Sequence, residues 1–403
     1  MTALVDSQPQ SASKGRPRRC CSILPADAVS LFLAVLIALC ACSSATAQSS
    51  LGRQQSQTKP PSDDPGGFTR ANEELQTGTD LTRQGHFREA IPHLLAAQGR
   101  VSNEFAADFN LALCYTATNQ YDKAITLLTD LSSAAHPSAG VYNLLAQAYV
   151  GNGQPEQAFT ALQQAANLDP ANEKLYVLVA DACMTHQNYA LGVKVVNLGI
   201  ENLPRSARLF YERGVFQTLL ERGDLAANDF AQAATLAPDS DIAYMATAQR
   251  DLEEGKIPET IAAVRQGIAA GHENYILLTL LGEALIRSGI APGQPEFAEA
   301  QAALEKSVAE HADNSRSQIA LAKMYLMAGR YDDAVTRLEI ARQLDPTNTS
   351  VYSHLATAYR QRGQLDQAQK MLAILANLNE AQAAKIRTGS SDHKPTSTPS
   401  RVE

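Results

Sequence analysis

Residues 139–172 read AGVYNLLAQAYVGNGQPEQAFTALQQAANLDPAN, with small residues at Ala146 and Ala158, Tyr149 and Gly153 between them, and Pro170 near the end. Residues 315–348, SRSQIALAKMYLMAGRYDDAVTRLEIARQLDPTN, repeat the arrangement with Ala322, Tyr325, Gly329, Ala334 and Pro346. Working outward in steps of 34, the first small position runs Ala90, Ala124, Ala158, Gly192, Ala226 and Thr260, then Ala300, Ala334 and Ala368. The second, twelve residues earlier, runs Gly78, Ala112, Ala146, Ala180, Gly214, Ala248, Gly282, Ala322 and Ala356. One step, 260 to 300, carries six extra residues, which fall in the loop-like segment Ile290–Pro295.

Two antiparallel helices per unit account for these residue types. A small side chain at the crossing lets the helices approach closely. Leu111, Leu145, Leu281, Leu321 and Leu355 precede the small residue and fill the space beside it. Tyr115, Tyr149, Tyr325 and Tyr359 lie one turn further along that face. Gly85, Gly153, Gly255, Gly329 and Gly363 end the first helix as left-handed caps. Pro170, Pro204, Pro238 and Pro346 end the second by denying a backbone donor.

This pattern resembles the tetratricopeptide repeat family, in its exported bacterial type, over about 312 of the 403 residues. Arg213-Gly214 with Asp229-Phe230 looks like a common variant of the motif, whereas the first unit lacks the Tyr and the Pro and the sixth has Thr260 and His272. The resemblance implies an all-α fold, a right-handed α-solenoid superhelix of nine antiparallel helix pairs. The units are 71–104, 105–138, 139–172, 173–206, 207–240, 241–274, 275–314, 315–348 and 349–382, numbered 1 to 9 below. A fold shared by many partners says little by itself about function.

The ends of the chain differ in composition. Residues 1–47 read as an export signal: Lys14, Arg16, Arg18 and Arg19, then the apolar run Ala28–Leu39, then small residues. That run is short for a membrane span. The basic segment is long, so synthesis is expected to start downstream of Met1. Two processing routes compete, signal-peptidase cleavage after Ala45-Thr46-Ala47, and lipidation of Cys42 in the lipobox-like Leu39-Cys40-Ala41-Cys42. Residues 48–70, rich in Gln, Ser, Pro and Gly, are expected to form a flexible linker, and residues 383–403 a disordered tail. Export implies a periplasmic, outer-membrane-associated or secreted protein, touching a membrane only through an N-terminal lipid.

The net charge of −8 combines +2 in residues 1–47 with −10 in the remainder. Such an acidic body does not suit nucleic acid, which needs cations for its phosphates. Cys20, Cys21, Cys40 and Cys42 lie in the leader, leaving Cys114 and Cys183. Two units apart, these are separated by about 20 Å, far beyond disulfide reach. Both read as core thiols.

No H-E-x-x-H, G-x-S-x-G, P-loop or dinucleotide fingerprint is present. His86 and His93 lack a third ligand in sequence; His186, His272, His311 and His354 read as solvated turn or surface residues. The carboxylate pairs Glu73-Glu74 and Glu253-Glu254 point apart on a helix. No catalytic residue, metal or cofactor is therefore expected. Only some twenty residues follow the units, too few for a fused catalytic domain.

Binding remains. In the resembled family the first helices line the concave face, and their outward positions here are Asn143, Gln147, Lys174, Asp181, Tyr211, Thr218, Met245, Gln249, Thr279, Glu283, Arg316, Lys323 and Arg360. Tyr211 and Met245 are candidate apolar anchors. The basic cluster Arg316, Lys323 and Arg360 would orient a partner with its acidic part toward the C-terminal end. The family's carboxylate clamp of Lys, Arg and Asn is incomplete here. The expected function is a non-catalytic exported scaffold holding a protein or peptide segment in its groove. An envelope lipoprotein assisting assembly or polysaccharide export is one alternative, and an enzyme on a helical solenoid another. Met371, Leu372, Ile374, Leu375 and Leu378 on the last helix mark a site of self-association or partner docking.

Overall fold

Each small residue of the 34-residue register sits at a helix crossing. Ala90, Ala124, Ala146, Ala158, Thr260, Ala300, Ala322 and Ala334 are completely buried. At some crossings the register holds glycine and a Cβ would not fit. A Cβ on Gly214 would stand 2.6 Å from the Phe230 ring, and one on Gly282 2.4 Å from Leu304.

A computed structural model of the protein describes residues 65–133 and 138–389. It is an α-solenoid of 18 helices, with no strand among the described residues. In chain order they are α1 (Pro65–Arg83), α2 (Phe87–Ala97), α3 (Glu104–Ala117), α4 (Tyr121–Ser132), α5 (Ala139–Gly151), α6 (Pro155–Leu168), α7 (Glu173–Thr185), α8 (Tyr189–Asn202) and α9 (Ala207–Leu219). Then come α10 (Gly223–Leu236), α11 (Asp241–Glu253), α12 (Ile257–Ala269), α13 (Tyr275–Arg287), α14 (Pro295–Glu310), α15 (Ser315–Met327), α16 (Tyr331–Leu344), α17 (Thr349–Gln361) and α18 (Leu365–Gly389). Odd-numbered helices are the first of each pair. None of the helices is long and apolar enough to cross a membrane, among the described residues.

The local signals explain the boundaries. First helices open on Asn or Ser caps: Ser206 accepts from the Leu209 amide at 3.0 Å, and Asn314 from Ser317 at 2.9 Å. Such a cap contributes about 1 kcal/mol. Each first helix closes on a residue of positive φ, Gly153 at 69° and Gly329 at 72° among them. The residue after it then bonds back, as Gln154 N–H does to the Tyr149 carbonyl at 2.8 Å. Three of these turns lack glycine and still adopt positive φ: Asn119, Gln187 and Glu221. Ile290 to Gln294 lie in a loop as expected, while Pro295 opens α14.

Two boundaries differ from the sequence reading. Helix α1 starts at Pro65, inside the stretch expected to be linker, and α18 continues to Gly389, into the stretch expected to be a disordered tail. The signal segment, its two processing sites and Cys42 lie outside the described residues.

The interior is one strip of apolar contacts in sections. A large cluster runs from Phe87 to Phe216, a second from Tyr211 to Ala334, and a small third one around Leu338 and Leu355. Cys114 and Cys183 are buried and unbridged in the first cluster. Burial pushes their thiols up to about 11 and about 12, which keeps them protonated. At the far end, Leu372 is 52% exposed and Met371, Ile374, Leu375 and Leu378 are half-buried.

Candidate functional site

First helices touch one another at every step from α1 to α17, whereas a comparable contact between second helices occurs only for α6 and α8 among the described residues. The side on which neighbours crowd is the inside of the curve. The first helices therefore line the concave face.

Crowding changes what that face offers. Asn143, Gln147, Tyr211, Met245, Gln249 and Thr279 were expected to point outward, and all six are buried. Their partners belong to the same helix, to adjacent first helices or to the helix behind. Asn143 Nδ2 donates to the Leu175 carbonyl at 2.7 Å, and Gln147 Nε2 to Asn143 Oδ1 at 2.9 Å. The Thr279 and Ser307 hydroxyls lie 2.8 Å apart. The Tyr211 ring tilts against Phe230, centroids 5.8 Å apart, and Asn274 Nδ2 reaches Met245 Sδ at 3.6 Å. Tyr211 and Met245 are thus core contacts of the solenoid, not free anchors. Thr218 has a buried hydroxyl with no hydrogen-bond partner among the described residues.

The charged positions split. Arg316 makes a two-pronged contact with Glu283, at 2.9 and 2.7 Å, and its Nη1 donates to Gln249 Oε1 at 2.9 Å. One side chain so ties units 6, 7 and 8 together. Burial disfavours the Glu283 charge, yet Arg316, with Arg287 and Lys323 nearby, holds the carboxyl below its usual range. Arg316 is therefore matched within the fold, which corrects its reading as a free cation for a partner. Lys323 is half-buried, Lys174 and Arg360 are exposed, and none of the three has a carboxylate within ion-pair distance among the described residues.

A tetratricopeptide repeat family model matches residues 81–148, 293–342 and 325–388, and a second model of that description matches residues 139–172. The chain carries tetratricopeptide repeats. Tetratricopeptide repeat protein 16 of Mus musculus is 26% identical over 179 residues, which are 41% of this chain and 23% of the mouse protein. The chain thus spans less than a quarter of that relative. Among solved structures, the APC/C hetero-tetramer Cut9-Hcn1 is similar at 13% identity and TM-score 0.47, over 77% of this chain and 61% of the other. A tetratricopeptide repeat protein from Parabacteroides merdae is similar at 16% identity and TM-score 0.43, over 72% and 99%.

Between tetratricopeptide units 4 and 5 the same register places Arg208 near Asp181, as Arg316 is placed near Glu283. The outcome differs, because Glu212 stands where other units carry Ala246, Leu280 or Ala320. Arg208 Nε bonds Glu212 Oε1 at 2.6 Å and Asp181 is left outside the fork. Burial, then repulsion from Glu212, pushes the Asp181 carboxyl up to about 7, against a smaller pull from Arg208. Burial also pushes the nearby Tyr275 phenol up to about 12. Arg208, Glu212 and Tyr275 were not singled out in the sequence. The signal for Glu212 was an acid at a position that holds Gln76, Asn110, Leu144, Leu178, Ala246, Leu280, Ala320 and His354 in the other units.

The raised Asp181 value has a sign. The folded chain holds this proton more tightly than the unfolded chain, whose carboxyl ionises near 3.8. Stability from this site is therefore intact at low pH and falls as pH rises from about 4 to about 7. Asp181→Asn should raise stability by about 1–2 kcal/mol at pH 8 and by almost nothing at pH 4. Urea unfolding at the two pH values checks it, and an equal effect at both would refute it.

His186 lies exposed in a turn as expected, whereas His272, His311 and His354 are half-buried. His186 meets the Tyr121 ring edge-on and His311 lies against Tyr275. His93 is 2.5 Å from Glu74, which is likewise not a free carboxylate. No group of three or more His, Cys, Asp or Glu that could hold a metal ion occurs among the described residues.

Proposed function

We propose that this protein is an exported, non-catalytic scaffold that holds a segment of another protein along its concave face. The observation that carries the reading is the unbroken row of first helices, on which Lys174, Lys323 and Arg360 have no carboxylate within ion-pair distance among the described residues. The tetratricopeptide fold supports a protein–protein interaction role. With Arg316 matched by Glu283, the basic end reduces to Lys323 and Arg360, and the partner's acidic part lies there.

The test is the double variant Lys323→Glu, Arg360→Glu. Neither residue is in an ion pair among the described residues, so helicity should stay as in the wild type, while melting should fall slightly because Lys323 lies near Glu283. Partners recovered from the native host should bind at least tenfold more weakly, the effect of about 1.4 kcal/mol. Capture at wild-type strength by the folded variant would exclude this end of the groove.

Export is supported by Lys14, Arg16, Arg18 and Arg19 ahead of the apolar run Ala28–Leu39. The lipobox-like Leu39-Cys40-Ala41-Cys42 favours a second form of the same role, an envelope lipoprotein assisting assembly or polysaccharide export. The intact mass of the chain from its host separates them. A start at Gln48 means plain secretion, a diacylglyceryl mass on Cys42 means a lipoprotein, and an unprocessed Met1 removes both.

A further inference from the structure

The turn between α7 and α8, in unit 4, reaches the connection between α16 and α17, four units further on. Gln187 Nε2 donates to Asp345 Oδ1 at 2.7 Å, across 158 positions of sequence. The Thr347 hydroxyl lies 2.9 Å from Gln187 Oε1 and 2.9 Å from Asp345 Oδ1, sharing one proton between them. The Thr347 amide also donates to Asp345 Oδ1, at 3.0 Å, so the receiving loop is preset by its own bonds. Helix packing elsewhere follows sequence neighbours, and a contact over four units requires the solenoid to curve back on itself.

We propose that these groups form a clasp: units 4 to 8 close into a ring around the concave face, and opening at Gln187 widens the groove that admits the partner. The admission role rests on the groove reading above, while the ring stands on its own contacts.

The backbone at Gln187 fits this assignment. Its φ is 55°, in the position that Gly85, Gly153, Gly255, Gly289, Gly329 and Gly363 occupy in other units. A side chain there is strained relative to glycine, and only a side chain can span the gap. Asn119, another non-glycine at that position, is used locally, accepting from the Tyr121 hydroxyl at 2.6 Å. The same Tyr121 oxygen is 3.0 Å from His186 Nε2, which braces the unit 4 turn from the N-terminal side. All these bonds are exposed, so each is weak net of its competition with water. Their sum biases the ring toward closure without locking it, as a gate requires.

The experiment is small-angle scattering on the full chain carrying Gln187→Gly, with Thr347→Val as a second variant. Glycine relaxes the turn and removes the reach, so helicity should hold and the melting midpoint should stay or rise. The radius of gyration and the largest dimension should both shift upward, and partner capture should become faster. A wild-type scattering profile from folded Gln187→Gly would overturn the ring. Expansion with an unchanged capture rate would overturn the gating role. The groove reading is decided separately by the Lys323→Glu, Arg360→Glu chain, so the two failures are distinguishable.

Discussion

Arg213→Ala is expected to lower the stability of the chain by about 2–4 kcal/mol. The Arg213 guanidinium grips Asp229 with two bonds, at 2.9 and 2.6 Å, and donates a third to Asn197 Oδ1 at 2.8 Å. Asp229 keeps only 8% of its side-chain surface, Arg213 24%. Removing the cation leaves a buried carboxylate without its partner, which is costlier than removing both. Arg213→Met with Asp229→Leu should therefore recover part of the loss. The position adds to the effect. Asn197 belongs to unit 4 and Asp229 to unit 5, next to the place where the first apolar cluster gives way to the second. The unfolding transition should broaden or split as the two halves uncouple. Urea titration followed by far-UV circular dichroism reads both, and a loss below about 1 kcal/mol with an unbroadened transition would refute the account.

The second large effect is expected one residue further along each helix. Phe230→Ala should cost about 3–5 kcal/mol, since the ring is almost wholly buried and fills the space that Gly214 leaves. Gly214→Ala should also destabilise, by about 1–3 kcal/mol, because its Cβ would press on that ring. Combined, the two should be less damaging than their sum. With the ring gone the Cβ has room, and alanine exceeds glycine in helix propensity by about 1 kcal/mol. A double-mutant cycle measures the coupling, and strict additivity would show that Gly214 and Phe230 do not share this space.

Arg213-Gly214 and Asp229-Phe230 show how far the sequence could be followed. Their 34-residue phase placed them, and the structure supplies the reason they occur together, a fork beside a ring seated on a glycine. Phase also located the crossings at Ala146, Ala158 and Ala322, because close approach is a property of one position. The turns were harder. Gly153 declares its conformation, but Gln187 and Glu221 adopt it against their own preference, driven by the helices on either side. Enclosure of the groove residues was not legible either. Register says which side of α9 carries Tyr211, but how near the next unit comes depends on the accumulated curvature, which no single unit encodes. Arg316 was placed on the correct face and its neutralisation missed, since Glu283 lies in another unit and six inserted residues shift their spacing.

The neighbour-only packing of the helix pairs also has a consequence in time. A chain that emerges N-terminus first, from a ribosome or a pore, needs no distant partner to begin. The apolar side of each pair is sheltered once the next first helix arrives, and that helix is some 13 residues, as for α9. At any moment the growing end therefore exposes about one unit of uncovered surface, where a sheet of distant strands would wait for most of its length. Among the described residues no helix follows α18. Leu372 on α18 keeps the exposure that Leu94, Leu128, Leu162, Leu304 and Leu338 lose at the same place in earlier units.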